Sequence, residues 1–206
     1  MKKQKAVVYI IFGASLFLMA VLGTQYVRQG MLQRGIAEKI LRFHVLANSD
    51  SEEDQRLKEK VRDAVGEQMG KLLAGTESRE QAEQIVLEEK NVILEAAAKT
   101  IADEGYAYPV EAYLREADFP VKEYGDYVFP AGRYRALQIV IGAGEGHNWW
   151  CVVYPNLCFS GSVYEIKEEE AEEVLREVLS EKEYEKIFAS GDYELRFRLL
   201  ELFGIK

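Results

Sequence analysis

The stretch from Ile40 to Gln55 constrains the fold more than any other part of the sequence. Ile40, Leu41, Phe43, Val45 and Leu46 are dense in strand formers, and the run stops at the turn residues Asn48-Ser49-Asp50. Asp50 with Glu53, or Ser51 with Asp54, then offers an N-cap with an acid three residues on, where negative charge suits the exposed N–H groups of a helix start. The stretch is therefore a strand-to-helix corner. It also carries His44, one of two histidines in the chain. On a strand of period two His44 points opposite to Phe43 and Val45. If those two face the core, His44 turns outward beside the helix start, as a satisfied structural histidine or as a contact residue.

The elements that follow are read from periodicity. Leu57, Val61, Ala64, Val65, Gln68, Met69 and Leu72 recur at helical spacing, with Lys58, Lys60, Arg62 and Asp63 on the wetter faces. A second helix is predicted from Thr76 or Ser78 to about Glu104, its apolar stripe interrupted only at Glu89, with Gly105 as its C′ glycine. Strands are predicted over 106–116, 121–129, 133–141 and 148–154. Gly142-Ala143-Gly144-Glu145-Gly146 joins the last two, which reads as a hairpin. Acidic helices follow. Ala171, Leu175 and Leu179 mark the first, Ser180 with Glu183 caps a second carrying Tyr184, Ile187 and Phe188, and Leu195 to Phe203 form a third. The predicted class is α+β: a mostly antiparallel sheet packed with a long helical pair and C-terminal helices.

Ahead of this domain stands Met1-Lys2-Lys3-Gln4-Lys5, then eighteen uncharged residues from Ala6 to Gly23. A basic start before an apolar run is how a chain engages export machinery. The run lies between a signal-peptide core of about 7–15 residues and a spanning helix of about 20. Residues 1–24 are thus expected to be a signal peptide or membrane anchor, 25–37 a linker, and 38–206 an extracytoplasmic domain whose acidic helical part begins near 165. Net charge is −9, and the first 24 residues hold three lysines and no acid, so the remainder carries 23 basic against 35 acidic residues, or −12. Phosphate backbones would repel so acidic a body, which argues against nucleic-acid binding.

The motifs that could carry chemistry are weak. Gly142-x-Gly144-x-Gly146 precedes a tryptophan-rich strand, whereas a phosphate cradle needs a helix N-terminus there. Cys151 and Cys158 are seven apart and His44 and His147 more than a hundred, spacings that match no structural zinc site and imply no metal. His147 lies four residues before Cys151, but no third group orients a nucleophile pair. In an exported domain Cys151 and Cys158 form one disulfide or stay as two buried thiols. Trp149 and Trp150 point to opposite sheet faces, so one fills the core and the other is a candidate contact anchor. No constellation calls for a cofactor or a catalytic residue.

Phe43 through Ser51, with Asp54-Gln55, Leu57-Lys58 and Lys60-Val61-Arg62-Asp63, resembles the signature of the stage II sporulation protein R family. So does Gly146 through Phe159, with Asn148-Trp149-Trp150-Cys151-Val152-Val153, Pro155 and Leu157-Cys158-Phe159. The similarity runs from about Ile40 to Phe159; Asn156 stands where a second proline is expected. The resemblance implies a signalling protein of endospore-forming bacteria, exported from the forespore into the space between two membranes. Its partner there would be a membrane-embedded aspartic protease that processes the precursor of a mother-cell sigma factor. Candidate partner-binding residues are His44, Asn48, Asp50, Asp54, Lys58, Arg62, Trp149 and Trp150. The alternative is an exported hydrolase of cell-wall material, with His44 and Asp50 or Asp54 as its working pair.

Overall fold

Along the chain run α1 (Lys2–Lys39), β1 (Leu41–Leu46), α2 (Glu52–Leu72), α3 (Arg79–Glu88), α4 (Lys90–Asp103), β2 (Val110–Phe119), β3 (Lys122–Tyr124), β4 (Tyr127–Phe129), β5 (Gly132–Ile141), β6 (Asn148–Tyr154), α5 (Glu168–Val178) and α6 (Glu181–Ile187). The computed structural model describes residues 2–157 and 168–188, with backbone alone at 2–8, 10, 11 and 168–170. The third C-terminal helix, expected over 195–203, lies outside the described residues.

The four-stranded sheet has the order β2-β5-β1-β6. β1 is parallel to β5 and antiparallel to β6, and β2 is antiparallel to β5. The class is α+β with a mostly antiparallel sheet. The expected β5–β6 hairpin is corrected: β1 lies between those strands. Their connection, residues 142–147, spans two strand spacings, on the order of 10 Å, which a tight two-residue turn could not do. The segment expected as one strand over 121–129 is the small hairpin β3–β4.

Both faces of the sheet are covered, as the alternation of β1 requires. Leu41, Phe43 and Val45 pack with Leu57, Val61, Val65 and Met69 of α2, Ala82 and Val86 of α3, and Ile93 and Ala97 of α4. On the opposite face, Tyr134, Ala136 and Val152 pack with Ile36 and Ile40, with Tyr127 and Phe129 of the small hairpin, and with Ala171, Leu175, Tyr184 and Ile187 of the acidic helices. The helix expected from 76–78 to 104 is broken at Glu89 into α3 and α4, at the residue that interrupts its apolar stripe. Residues 25–37, expected as a linker, are the continuation of α1, and Ile36 is fully buried. Farther toward the N-terminus α1 leaves the body, with Phe12, Phe17, Leu22 and Tyr26 exposed. Among the described residues no helix is long and apolar enough to cross a membrane.

Candidate functional site

At the C-terminal end of β1 the chain turns into α2, and the β5–β6 connection arches over that turn. Ser51 is the N-cap of α2, its hydroxyl accepting from Asp54 N–H. The Asp54 carboxylate points back into the corner. It accepts hydrogen bonds from Ser49 Oγ at 2.5 Å and Asn48 Nδ2 at 2.9 Å, and from the Tyr108 hydroxyl. Burial alone would raise this carboxyl's pKa, but the Ser49, Asn48 and Tyr108 donors outweigh it and hold it below its ordinary value.

Asn48 ties the other half in. Its Oδ1 accepts from Ala143 N–H at 2.9 Å, and its backbone oxygen from Glu145 N–H. The glycines of the arch are dictated by this approach. Gly142 has φ +57, and a β-carbon there would collide with Asn48 Oδ1; one on Gly146 would meet the backbone oxygen of Ser49. Lys58, on the first turns of α2, donates to the His147 carbonyl at 3.2 Å and to Gln55 Oε1 at 2.5 Å.

At the tip, Asp50 Oδ1 accepts from both His147 N–H, at 2.6 Å, and His147 Nδ1, at 2.5 Å. These two bonds hold the Asp50 carboxyl below its ordinary pKa. Both side chains are more than half exposed, so the pair presents a fixed carboxylate–imidazole to solvent.

Arg62 and Trp149 close the helical face of the corner. The guanidinium stands 5.1 Å from the Trp149 ring centre and pairs with Asp63 at 2.8 Å, while Phe43 meets the Trp149 ring edge-on at 5.7 Å. On the other face His44 stacks on Trp150, with centroids 4.9 Å apart and ring planes 1° from parallel, and Phe119 packs edge-on against both. His44 Nδ1 lies 3.4 Å from Asn148 Oδ1. Burial lowers the His44 pKa to about 4, with Arg115 and Arg42 adding to the fall and the Asn148 bond opposing it.

The eight predicted residues therefore gather at one end of the sheet, in different roles. Asn48, Asp54 and Lys58 build the corner from inside, Asp50 is exposed, and Arg62–Trp149 and His44–Trp150 flank the two faces. His44 does point away from Phe43 and Val45, but it is 3% exposed rather than turned to solvent, because a second core covers that face. Lys58 and Arg62, expected on wetter faces, are buried, at 7% and 5% exposure, beneath the arch and Trp149. Neither tryptophan is free: both are half-buried. His44 is not joined to Asp50 or Asp54; the histidine that meets Asp50 is His147. The glycine spacing opposite Asn48-Ser49-Asp50 is the signal that could have found it.

Sequence reading also missed Arg42, which is fully buried on the face of His44. Its Nη2 donates to Tyr124 Oη at 3.1 Å, and four rings surround it, Phe119 closest at 4.4 Å from centroid to Cζ. Its Nε and Nη1 have no hydrogen-bond partner among the described residues. Cys151 is buried and disulfide-bonded, which removes it as a nucleophile beside His147. Cys158, the other cysteine of the sequence, lies outside the described residues. No group of histidine, cysteine and acidic side chains that could hold a metal occurs among the described residues.

The profile of the family described as Stage II sporulation protein R (spore_II_R) matches residues 37–164. The chain is also 36% identical over 156 residues to the Stage II sporulation protein R of Bacillus subtilis (strain 168), an alignment covering 74% of this chain and 66% of that relative. The chain thus spans just under two thirds of the relative's length. No solved structure matches. The profile takes in both halves of the corner, the β1–α2 turn and the arch that crosses it.

Proposed function

The chain belongs to the stage II sporulation protein R family, and from that membership we propose that it is an exported signal of endospore formation. It passes from the forespore into the intermembrane space, its N-terminal segment serving as signal peptide or anchor. There it switches on a membrane-embedded aspartic protease that processes the precursor of a mother-cell sigma factor. The basic start and apolar run of residues 1–24, and the −12 charge of the rest, suit a protein that leaves the cytoplasm and avoids nucleic acid.

The observation that carries this reading is the convergence of two distant segments, 43–63 and 146–154, on one corner held from inside by the hydrogen bonds of Asn48, Asp54 and Lys58 and exposed at its tip. Such a surface is pre-organised, so binding costs little ordering. An activator shifts its receptor only by binding the active arrangement better than the inactive one. A tenfold shift needs about 1.4 kcal/mol, within what one well-placed interface side chain supplies. The test is co-expression of the chain, the protease and the sigma-factor precursor in a host that does not sporulate. Cleavage that requires the chain is expected; cleavage of the same extent without it contradicts the reading.

One observation favours a second reading. The exposed Asp50–His147 pair has the geometry of an oriented general base, and an exported wall hydrolase would use it in place of the predicted His44. Incubation of the purified protein with peptidoglycan decides: turnover abolished by His147→Ala supports the hydrolase, and inert protein excludes it.

A further inference from the structure

At the far end of β1 from the corner, about 20 Å away along the strand, the end of α1, the α2–α3 turn, the end of β6 and α5 enclose a cleft of about 710 Å³. Leu73, Val153, Tyr154 and Val178 give it an apolar floor. Its rim is acidic, with Glu38, Glu77, Glu80 and Glu177.

Two cations also line it, and both are already engaged. Lys39 pairs with Glu183 at 2.6 Å. Arg79 pairs with Glu80 at 2.9 Å and Glu83 at 3.3 Å and reaches the Ala37 carbonyl. Glu38, Glu77 and Glu177 make no ion pair among the described residues, which leaves the cleft with three uncompensated carboxylates. On its floor, Tyr154 lies within the field of Glu80, Glu177 and Glu77. Burial raises the Tyr154 phenol above its ordinary pKa, and Glu80, Glu177 and Glu77 push it further. That hydroxyl makes no hydrogen bond among the described residues.

We propose that this cleft binds a lysine or arginine side chain presented on an extended basic segment of a protein partner. The ligand class follows from the two halves of the site. An apolar floor takes the methylene stem of such a side chain, and the acidic rim with an open phenol oxygen takes its charged head. A small inorganic cation would leave the floor unused, and an apolar peptide would leave three carboxylates to be dehydrated without compensation. Arginine satisfies the rim with more donors than lysine, so an arginine segment binds more tightly.

The test is an NMR titration of the ¹⁵N-labelled full chain, held in detergent micelles, with the acetylated, amidated peptide Gly-Leu-Arg-Leu-Arg-Gly. Saturable shifts are expected at the amides of Gly75, Thr76, Glu77, Val153 and Asn156. The Glu77→Gln/Glu177→Gln protein should bind at least tenfold more weakly, and the same peptide with glutamate for arginine should leave the spectrum unchanged. Both glutamates are exposed and make no ion pair among the described residues, so the variant keeps the native spectrum. No shifts, shifts scattered over the acidic surface, or equal affinity in the two proteins would overturn the proposal. The readout is binding at the end of β1 remote from the corner, so its failure and a failure of protease activation are separately observed.

Discussion

Above about pH 4 His44 is neutral in the folded protein, because burial between Trp150 and Phe119, with Arg115 and Arg42 nearby, disfavours its charged form. Its folded pKa of about 4 lies below the value of roughly 6.5 for an unfolded chain. Between those values the unfolded chain binds a proton that the native state does not. The stability that neutral His44 supports is complete above about pH 6.5 and is lost as pH falls toward 4, by on the order of 3 kcal/mol. Urea unfolding across pH 4–7 measures it, and His44→Phe, which keeps an aromatic on Trp150, should flatten that slope. Asp54 acts at lower pH: its depressed pKa gives stability present above the unfolded value and lost as pH drops through the folded one. Asp54→Ala strips three donors of their acceptor and should cost about 3 kcal/mol at pH 7. Arg42 behaves differently. One hydrogen bond and contacts worth about 0.5–2 kcal/mol each offset a desolvation cost of several kcal/mol. Arg42→Met should therefore raise stability by about 1–2 kcal/mol in urea melts, whereas a large loss would mean that the rings hold the cation at a net gain.

At the scale of elements, the corner depends on the arch between β5 and β6 as much as on the cap of α2. Gly146→Ala is the sharpest probe, since its β-carbon would meet rigid backbone at Ser49 while its φ is one that alanine can adopt. It should cost about 1–3 kcal/mol and loosen the His147–Asp50 contact, seen as a shift of the His147 ring signals. The arch also shows what the sequence made legible. Strand β1, the cap of α2 to within the choice of Asp50 or Ser51, the Ser180–Glu183 capping box and the opposed tryptophans are local, set by periodicity and short-range hydrogen bonding, and are legible in the residues. Strand order is not local. Two strands joined by glycines look like a hairpin whether or not a third strand lies between them, and only the six-residue length of the connection hints otherwise. The burial of Lys58, Arg62 and His44 was hidden for the same reason: each is covered by an element distant in sequence.

Over the whole molecule, the sheet separates two cores and its two ends serve different surfaces. One end is the bonded corner with Asp50 and His147 at its tip; the other is the acidic cleft where α1 joins the body. Burial explains why so few polar residues are available for recognition. Of the eight candidates, Asp50 alone is exposed, and its bonding partner His147 completes the surface. The measurement that tests this most directly compares the wild-type chain with Asp50→Asn/His147→Ala in a reconstitution with the membrane protease proposed as its receptor and that protease's precursor substrate, with thermal melts of both proteins alongside. Melting within a few degrees of wild type and at least a tenfold loss of precursor cleavage are expected. Full activation by an equally stable double variant would contradict the assignment of the corner as the receptor-facing surface.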